Sequence, residues 1–183
     1  KKLGTKWESE EFMRNGYFIP LNSLLYEYNK GAKEADDTLH NKAMELLHVG
    51  VHPRVELTHK NFGETRNDKK SFVGQVFVSA CPITYSCKTA ATWGHFSKDV
   101  LKQAYLLTLL AASTMDPEDA IVDVWFTLVG AGVFGNPHSH VVEALKYAIK
   151  TFETMNNGLK VRVNMNIYNR AIFEYSFNEE EKK

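Results

Sequence analysis

The run Gly130-Ala131-Gly132-Val133-Phe134-Gly135-Asn136-Pro137 is the part of this chain best suited to hold an anion. Its three glycines allow positive φ angles and close backbone approach, so successive N–H groups can converge as a nest. Asn136 is placed as a helix N-cap and Pro137 as the first helical residue, which sets the partial positive charge of a helix start beside the loop. A phosphate or diphosphate can be held in such a place without any lysine. The alternative is a tight strand-to-helix turn that needs glycine only to pack. The spacing also satisfies Gly-x-Gly-x-x-Gly, the fingerprint of dinucleotide enzymes of the NAD(P) type. That fingerprint follows the first strand of its fold, whereas this loop follows a late one. Asn164, Asn166 and Asn169 also stand where an acidic ribose ligand should close the next strand. No Gly-Lys-Ser/Thr follows, which excludes a Walker loop.

Other reactive residue types are more scattered. Seven histidines include His138-x-His140 and the pair His52 and His59. Positions i and i+2 of a helix point apart, and no acidic or cysteine partner sits at zinc spacing, so no metal site is expected. Cys81 and Cys87 are too few for a disulfide scaffold. A cysteine nucleophile would need a base such as His95, and buried small-hydrophobe behaviour is the alternative. Asp99 is the one carboxylate close in sequence to the loop that begins at Ser79, which makes it the candidate catalytic acid. Asp116, Glu118, Asp119 and Asp123 precede or open the central strand and belong at the opposite end. Tyr85, Trp93 and Phe96 suit either a core or a stacking platform for a base.

Composition bounds the class. The chain has 183 residues, 44% hydrophobic, with 22 Lys and Arg balanced by 22 Asp and Glu. Zero net charge disfavours binding to duplex nucleic acid. No run approaches the ~18 apolar residues of a membrane span, and the charged start, Lys1 to Glu11, carries no secretory signal. The expectation is a soluble intracellular monomer with one domain over residues 12–177, between polar, flexible ends at 1–11 and 178–183.

The elements that must position the loop follow from periodicity. Leu24, Leu25 and Tyr28 indicate a short helix ending near Gly31, and Ala32 to Leu47 a second helix. Val49 to Leu57 is β-like and broken at Pro53, as an edge strand or bulge. Lys60 to Ser71 reads as an exposed loop, and Val76 to Ser79 as a buried strand. Phe96 to Met115 is a buried helix stopped by Asp116-Pro117. Ile121 to Val129 reads as a central strand covered on both faces. Val141, Ala144, Leu145, Ala148, Ile149, Phe152 and Met155 form one helical stripe, with Gly158 placed to stop it. Leu159 to Ile167 alternates as a strand with one wet face. The order β, α, β, α, β over residues 73–167 predicts a three-layer α/β/α sandwich on a mostly parallel mixed sheet. Its ligand crevice should lie beyond the strand carboxyl ends, where Ser79–Ser86, Gly130–Pro137 and Asn164–Asn169 converge.

The stretch from Val100 to Tyr168 resembles the C-terminal half of a macro domain, the ADP-ribose-binding module. The matching parts are a helix with Leu101, Tyr105 and Leu109, the strand and loop from Phe126 to Pro137, the helix Val141–Phe152 and the last strand Val161–Tyr168. The first half departs from the family pattern: Ser79-Ala80-Cys81-Pro82-Ile83-Thr84-Tyr85-Ser86 replaces its Asn-Ala-Asn stretch and glycine run. That departure resembles a divergent branch, bacterial-effector macro domains that remove ADP-ribose from arginine.

The resemblance implies binding of ADP-ribose, or of an ADP-ribosylated protein, with no further cofactor. Ser79, Ala80, Tyr85, Gly130, Ala131, Gly132, Val133, Phe134, Gly135 and Asn136 then become ligand-binding residues. The second glycine loop would wrap the diphosphate, Phe134 would pack on the distal ribose, and Tyr168 and Asn169 would close the adenine side. Glu56 is left to stand for the family's adenine-contacting aspartate. An ADP-ribosyl hydrolase, arginine-linked substrates first, is the alternative, and Lys102, Gln103 and Leu106 offer it no carboxylate where arginine-specific relatives would carry acidic residues.

Overall fold

The computed structural model describes residues 12–33, 42–58, 71–115, 121–155 and 161–166. In chain order it forms strands β1 (Met13–Arg14) and β2 (Tyr17–Phe18), helix α1 (Asn22–Lys33), and strands β3 (Gly50–Leu57) and β4 (Ser71–Phe77). A 3-10 turn at Thr84–Ser86 leads into helix α2 (Ala90–Thr114), then β5 (Val122–Thr127), α3 (His138–Met155) and β6 (Val161–Asn166). The protein is of mixed α/β class.

The main core is the unit β5–α3–β6 with α2 laid against it. β5 and β6 pair in parallel, from Val122 opposite Val161 to Thr127 opposite Asn166, and the connecting helix supplies the crossover that parallel strands require. Of the stripe read from the sequence, Val141, Ala144, Leu145, Ala148 and Phe152 are buried, while Ile149 is half-buried, Met155 is exposed and Val142 joins the buried face. It meets Leu101, Tyr105, Leu106, Leu109 and Ala112 of α2 over Val124 and Phe126 of β5. Both helices therefore cover the same face of the β5–β6 pair. Asp123, Trp125 and Thr127 point the other way and are exposed, Trp125 at 69%. This corrects the expectation of a strand covered on both faces. The period-2 pattern was present, but Trp125 on the outward set makes the run look continuously apolar.

A second, smaller core lies under α1. Leu25 of α1 packs with Cys81, Ile83 and Trp93. Helix α2 is broken at Gly94, whose φ of 49° and ψ of −128° are not helical. Asn29 of α1 fills the break. Its Nδ2 donates to the Thr92 carbonyl at 3.1 Å, and its Oδ1 accepts the Phe96 N–H at 3.2 Å. The side chain thus caps the long second segment of α2. Thr89 caps the first, its Oγ1 accepting the Thr92 N–H at 3.1 Å.

Strands β3 and β4 form an antiparallel ribbon with a register shift between His52 and Val55, the bulge anticipated at Pro53. Val76 to Ser79 was expected to be a buried strand. Instead β4 lies in this ribbon with Phe72, Gly74, Gln75 and Phe77 exposed and none of its residues fully buried. Among the described residues the strands form three two-stranded sheets, one parallel and two antiparallel. Helix α1 runs through Gly31 to Lys33. Of the helix expected at Ala32–Leu47, residues 42–45 form one helical turn and 34–41 lie outside the described residues. So do both polar ends, most of the Lys60–Ser71 stretch, Asp116-Pro117 and Gly158.

At the N-terminal side, Asn15 and Gly16 take φ of 51° and 80° and join β1 to β2. Two successive positive φ angles are the signature of a two-residue hairpin turn, which Asn-Gly favours. The base is tied by the Ile19 N–H donating to the Phe12 carbonyl at 2.7 Å, and both side chains are buried.

Candidate functional site

The chain beyond β5 turns sharply because Tyr105 of α2 holds its exit. The Tyr105 hydroxyl donates to the Thr127 carbonyl at 2.9 Å and accepts the Val129 N–H at 3.1 Å. Burial pushes this phenol up to about 12, against a smaller lowering by the Val129 hydrogen bond, so it stays protonated and can serve both partners. Two tight bonds then fold the glycine loop: Ala131 N–H to Leu128 O at 3.1 Å and Gly135 N–H to Gly132 O at 3.0 Å. A third, from Asn136 N–H to Gly130 O at 2.9 Å, closes it.

The three glycines have different reasons to be glycine. Gly130 and Gly135 take φ of 74° and 72°, and a Cβ on them would run into Ala80 and Thr84 respectively. Gly132 has no positive φ, and a Cβ there would meet nothing within 4 Å. The loop thus presses its first and last glycines against Ser79–Ser86 and leaves the middle one open. The Thr84 N–H donates to the Phe134 carbonyl at 3.1 Å, joining the two loops by their backbones.

Asn136 completes the join. It is 2% exposed, and its Nδ2 donates to the carbonyls of Cys81 at 2.8 Å and Gly130 at 3.1 Å. This corrects its expected role as N-cap. The carbonyl that accepts the first helical bonds belongs to Pro137, at 3.0 Å from His140 N and 3.3 Å from Val141 N. Pro137 holds the cap position, and the carboxamide is free to tie the loops together.

Between these loops and the end of β4 opens a cleft of about 560 Å³. Ser79 and Ala80 line one wall and Gly130, Gly132, Val133 and Phe134 the other. Among the described residues, the N–H groups of Gly132, Val133 and Phe134 have no acceptor, whereas those of Gly135 and Asn136 are spent inside the loop. The stretch of N–H groups left for an anion is therefore shorter than the five residues that the glycine spacing suggests, and it begins at the open glycine. Among the described residues, no charged side chain lines the cleft. A larger hollow of about 1040 Å³ lies between the opposite ends of β4 and β5. Of its charged side chains, Arg54 lies over the Phe72 ring and Asp123 pairs with Arg162.

Ala131, Tyr85, Gly135 and Asn136 support the walls without lining the cleft; Tyr168 and Asn169 lie outside the described residues. Tyr85 is 44% exposed and meets Phe134 edge to face at 5.9 Å. Trp93, by contrast, is fully buried, and its Nε1 donates to Ser86 Oγ at 2.9 Å, so it supports the first loop from beneath. Tyr17 is a residue that periodicity does not reveal. It stacks on Tyr85 at 4.8 Å with planes 6° apart and meets Phe134 at 5.7 Å.

The other reactive candidates lie elsewhere. Asp99 is 3% exposed, takes a hydrogen bond from the Tyr28 hydroxyl at 3.1 Å and faces Lys102 Nζ at 3.6 Å. Burial first, and then the Asp99 charge, hold the Tyr28 phenol well above its ordinary range. Lys102 and Lys98 both pair with Glu143 of α3. Burial raises the Glu143 carboxyl, but the two lysines outweigh it and hold it below its ordinary value. This is an ion network between helices, and Asp99 is not among the residues lining the cleft. Burial pushes the Cys81 thiol up to about 12, which removes it as a nucleophile, and Cys87 is exposed. Glu56 pairs with Phe72, at the end of the ribbon away from the cleft. Among the described residues no group of three or more His, Cys, Asp or Glu could hold a metal, and no helix is long and apolar enough to cross a membrane.

No protein-family model matches the chain, and a search of curated proteins finds no significant relative.

Proposed function

We propose that the cleft binds ADP-ribose, free or attached to a protein, with the diphosphate on the N–H groups of Gly132, Val133 and Phe134. The observation that carries this reading is that run of three donors, unpaired among the described residues, beside a cleft that no described lysine or arginine lines. Backbone donors fixed by surrounding hydrogen bonds bind an anion without reorganising, and diphosphate geometry suits a row of them. Phe134 beside the donors gives an apolar face for a sugar. The resemblance to macro domains supports the same ligand.

Recognition is favoured over bond cleavage. The lining residues among those described contribute N–H, hydroxyl and apolar groups, and Asp99 is committed to Tyr28 and Lys102. A hydrolase would need a positioned water and a group to handle its proton.

Isothermal titration with ADP-ribose tests the reading. Binding should be saturable, and its salt dependence shallow beside that of proteins that neutralise phosphates with several lysines. Absence of binding overturns it.

A further inference from the structure

We propose that Tyr17 is a positioning residue for the cleft, acting through the ring of Phe134. The inference rests on the ADP-ribose reading for its ligand, but its geometry stands without one. Tyr17, Tyr85 and Phe134 come from three separate segments and form a closed aromatic triangle. Tyr17 stacks face to face on Tyr85, and both present themselves at close to a right angle to Phe134, at 88° and 86°. Edge-to-face contacts of this kind fix ring orientation as well as add stability. Phe134 is the member that lines the cleft. Its backbone is already held through the carbonyl that accepts the Thr84 N–H, so the two tyrosines govern what remains free, the side-chain torsions.

Tyr17 can do this because the hairpin that carries it is anchored at its base and bare at its tip. Phe12, Ile19 and Pro20 are buried, Phe18 rests against Phe96 at 6.3 Å, and residues Met13 to Gly16 are exposed. Among the described residues the Tyr17 hydroxyl has no hydrogen-bond partner. Its replacement by hydrogen therefore leaves the stack intact, which makes Tyr17→Phe a clean control. The consequence for binding is selective. Pyrophosphate alone needs only the N–H row, whereas ADP-ribose also needs an ordered ring on which a sugar face can rest.

The experiment compares wild type, Tyr17→Ala and Tyr17→Phe, each checked for an unchanged thermal midpoint of the main core. In the ligand-free proteins, the labelled Phe134 ring should lose the Tyr17 share of its ring-current shifts in Tyr17→Ala and keep it in Tyr17→Phe. Titration should then show ADP-ribose weakened about fivefold to tenfold by Tyr17→Ala alone, with inorganic pyrophosphate unchanged in all three. Phe134 resonances identical in Tyr17→Ala and wild type overturn the inference whatever the ligand results. Equal weakening of pyrophosphate and ADP-ribose also overturns it, because the hairpin would then merely stabilise the loops. If the ring shifts follow Tyr17 but wild type binds neither ligand, the positioning stands and the ADP-ribose reading falls.

Discussion

The carboxamide of Asn136 lies 2.8 Å from the carbonyl of Cys81, a residue 55 positions earlier in the chain. That bond and its companion to Gly130 make one buried side chain the fastener of both cleft walls. Asn136→Ala removes both side-chain bonds while the Cys81 and Gly130 carbonyls keep the N–H groups of Ile83 and Asn136, and the expected loss is about 1–3 kcal/mol in urea unfolding. Asn136→Asp should be worse at neutral pH, since a carboxylate would face those carbonyls. Its pKa would rise in the folded state above the ordinary value of about 4, so the variant should regain stability as pH falls through that raised value and level off below about 4. A variant that is as stable as wild type would remove the fastening role.

The three glycines should separate cleanly. Gly130→Ala and Gly135→Ala put a Cβ on a left-handed backbone and into Ala80 or Thr84, so each should cost about 1–3 kcal/mol. Gly132→Ala should leave the thermal midpoint unchanged. Gly132→Glu should also fold, yet abolish ADP-ribose binding by placing a negative charge over the donor row. Retained binding in that variant would misplace the anion site.

The cysteines should differ in reactivity and in pH linkage. A thiol reagent at about pH 8 should modify Cys87 in the native protein and reach Cys81 only on unfolding. Burial lifts Cys81 from an ordinary value of 9.0 to about 12. A folded pKa above the unfolded one gives stability that is fully present below the lower value and lost as pH climbs through the higher. Chemical denaturation should therefore show a decline beginning near 9 and continuing toward 12, less steep in Cys81→Ala.

Asp99→Asn addresses the hydrolase alternative. It removes the charge facing Lys102 while keeping an acceptor for Tyr28, and should cost about 1–3 kcal/mol with ADP-ribose affinity unchanged. A large change in affinity or in release of ADP-ribose from a modified protein would return Asp99 to the site.

Long periodic signals carried most of what the sequence revealed. The stripe from Val141 to Phe152 needs one face and one partner layer, and α3 buries Val141, Ala144, Leu145, Ala148 and Phe152 of it, with Val142 added. The glycine loop was visible as a loop, but glycine letters alone could not show that Gly130 and Gly135 serve packing while Gly132 faces space. Asn136 was misread because a cap and a cross-loop donor call for the same side chain at the same place. Asp99 was drawn toward the site by closeness along the chain, although which side of a helix faces a loop depends on what packs there, here Tyr28 of α1. Tyr17 sits in strands of two residues, too short for any period; the Asn15-Gly16 pair was the signal that could have exposed it.

The span from Cys81 to Asn136 also has a kinetic meaning. Closing a loop of 55 residues costs chain entropy before the carboxamide bond gives anything back, and contacts of that separation slow folding. The glycine turn can bend on its own early, but its donor row acquires a second wall only after the helices α2 and α3 have met. A peptide carrying residues 128–140 alone would possess the turn without the cleft, and so would have no means of telling a nucleotide from free phosphate.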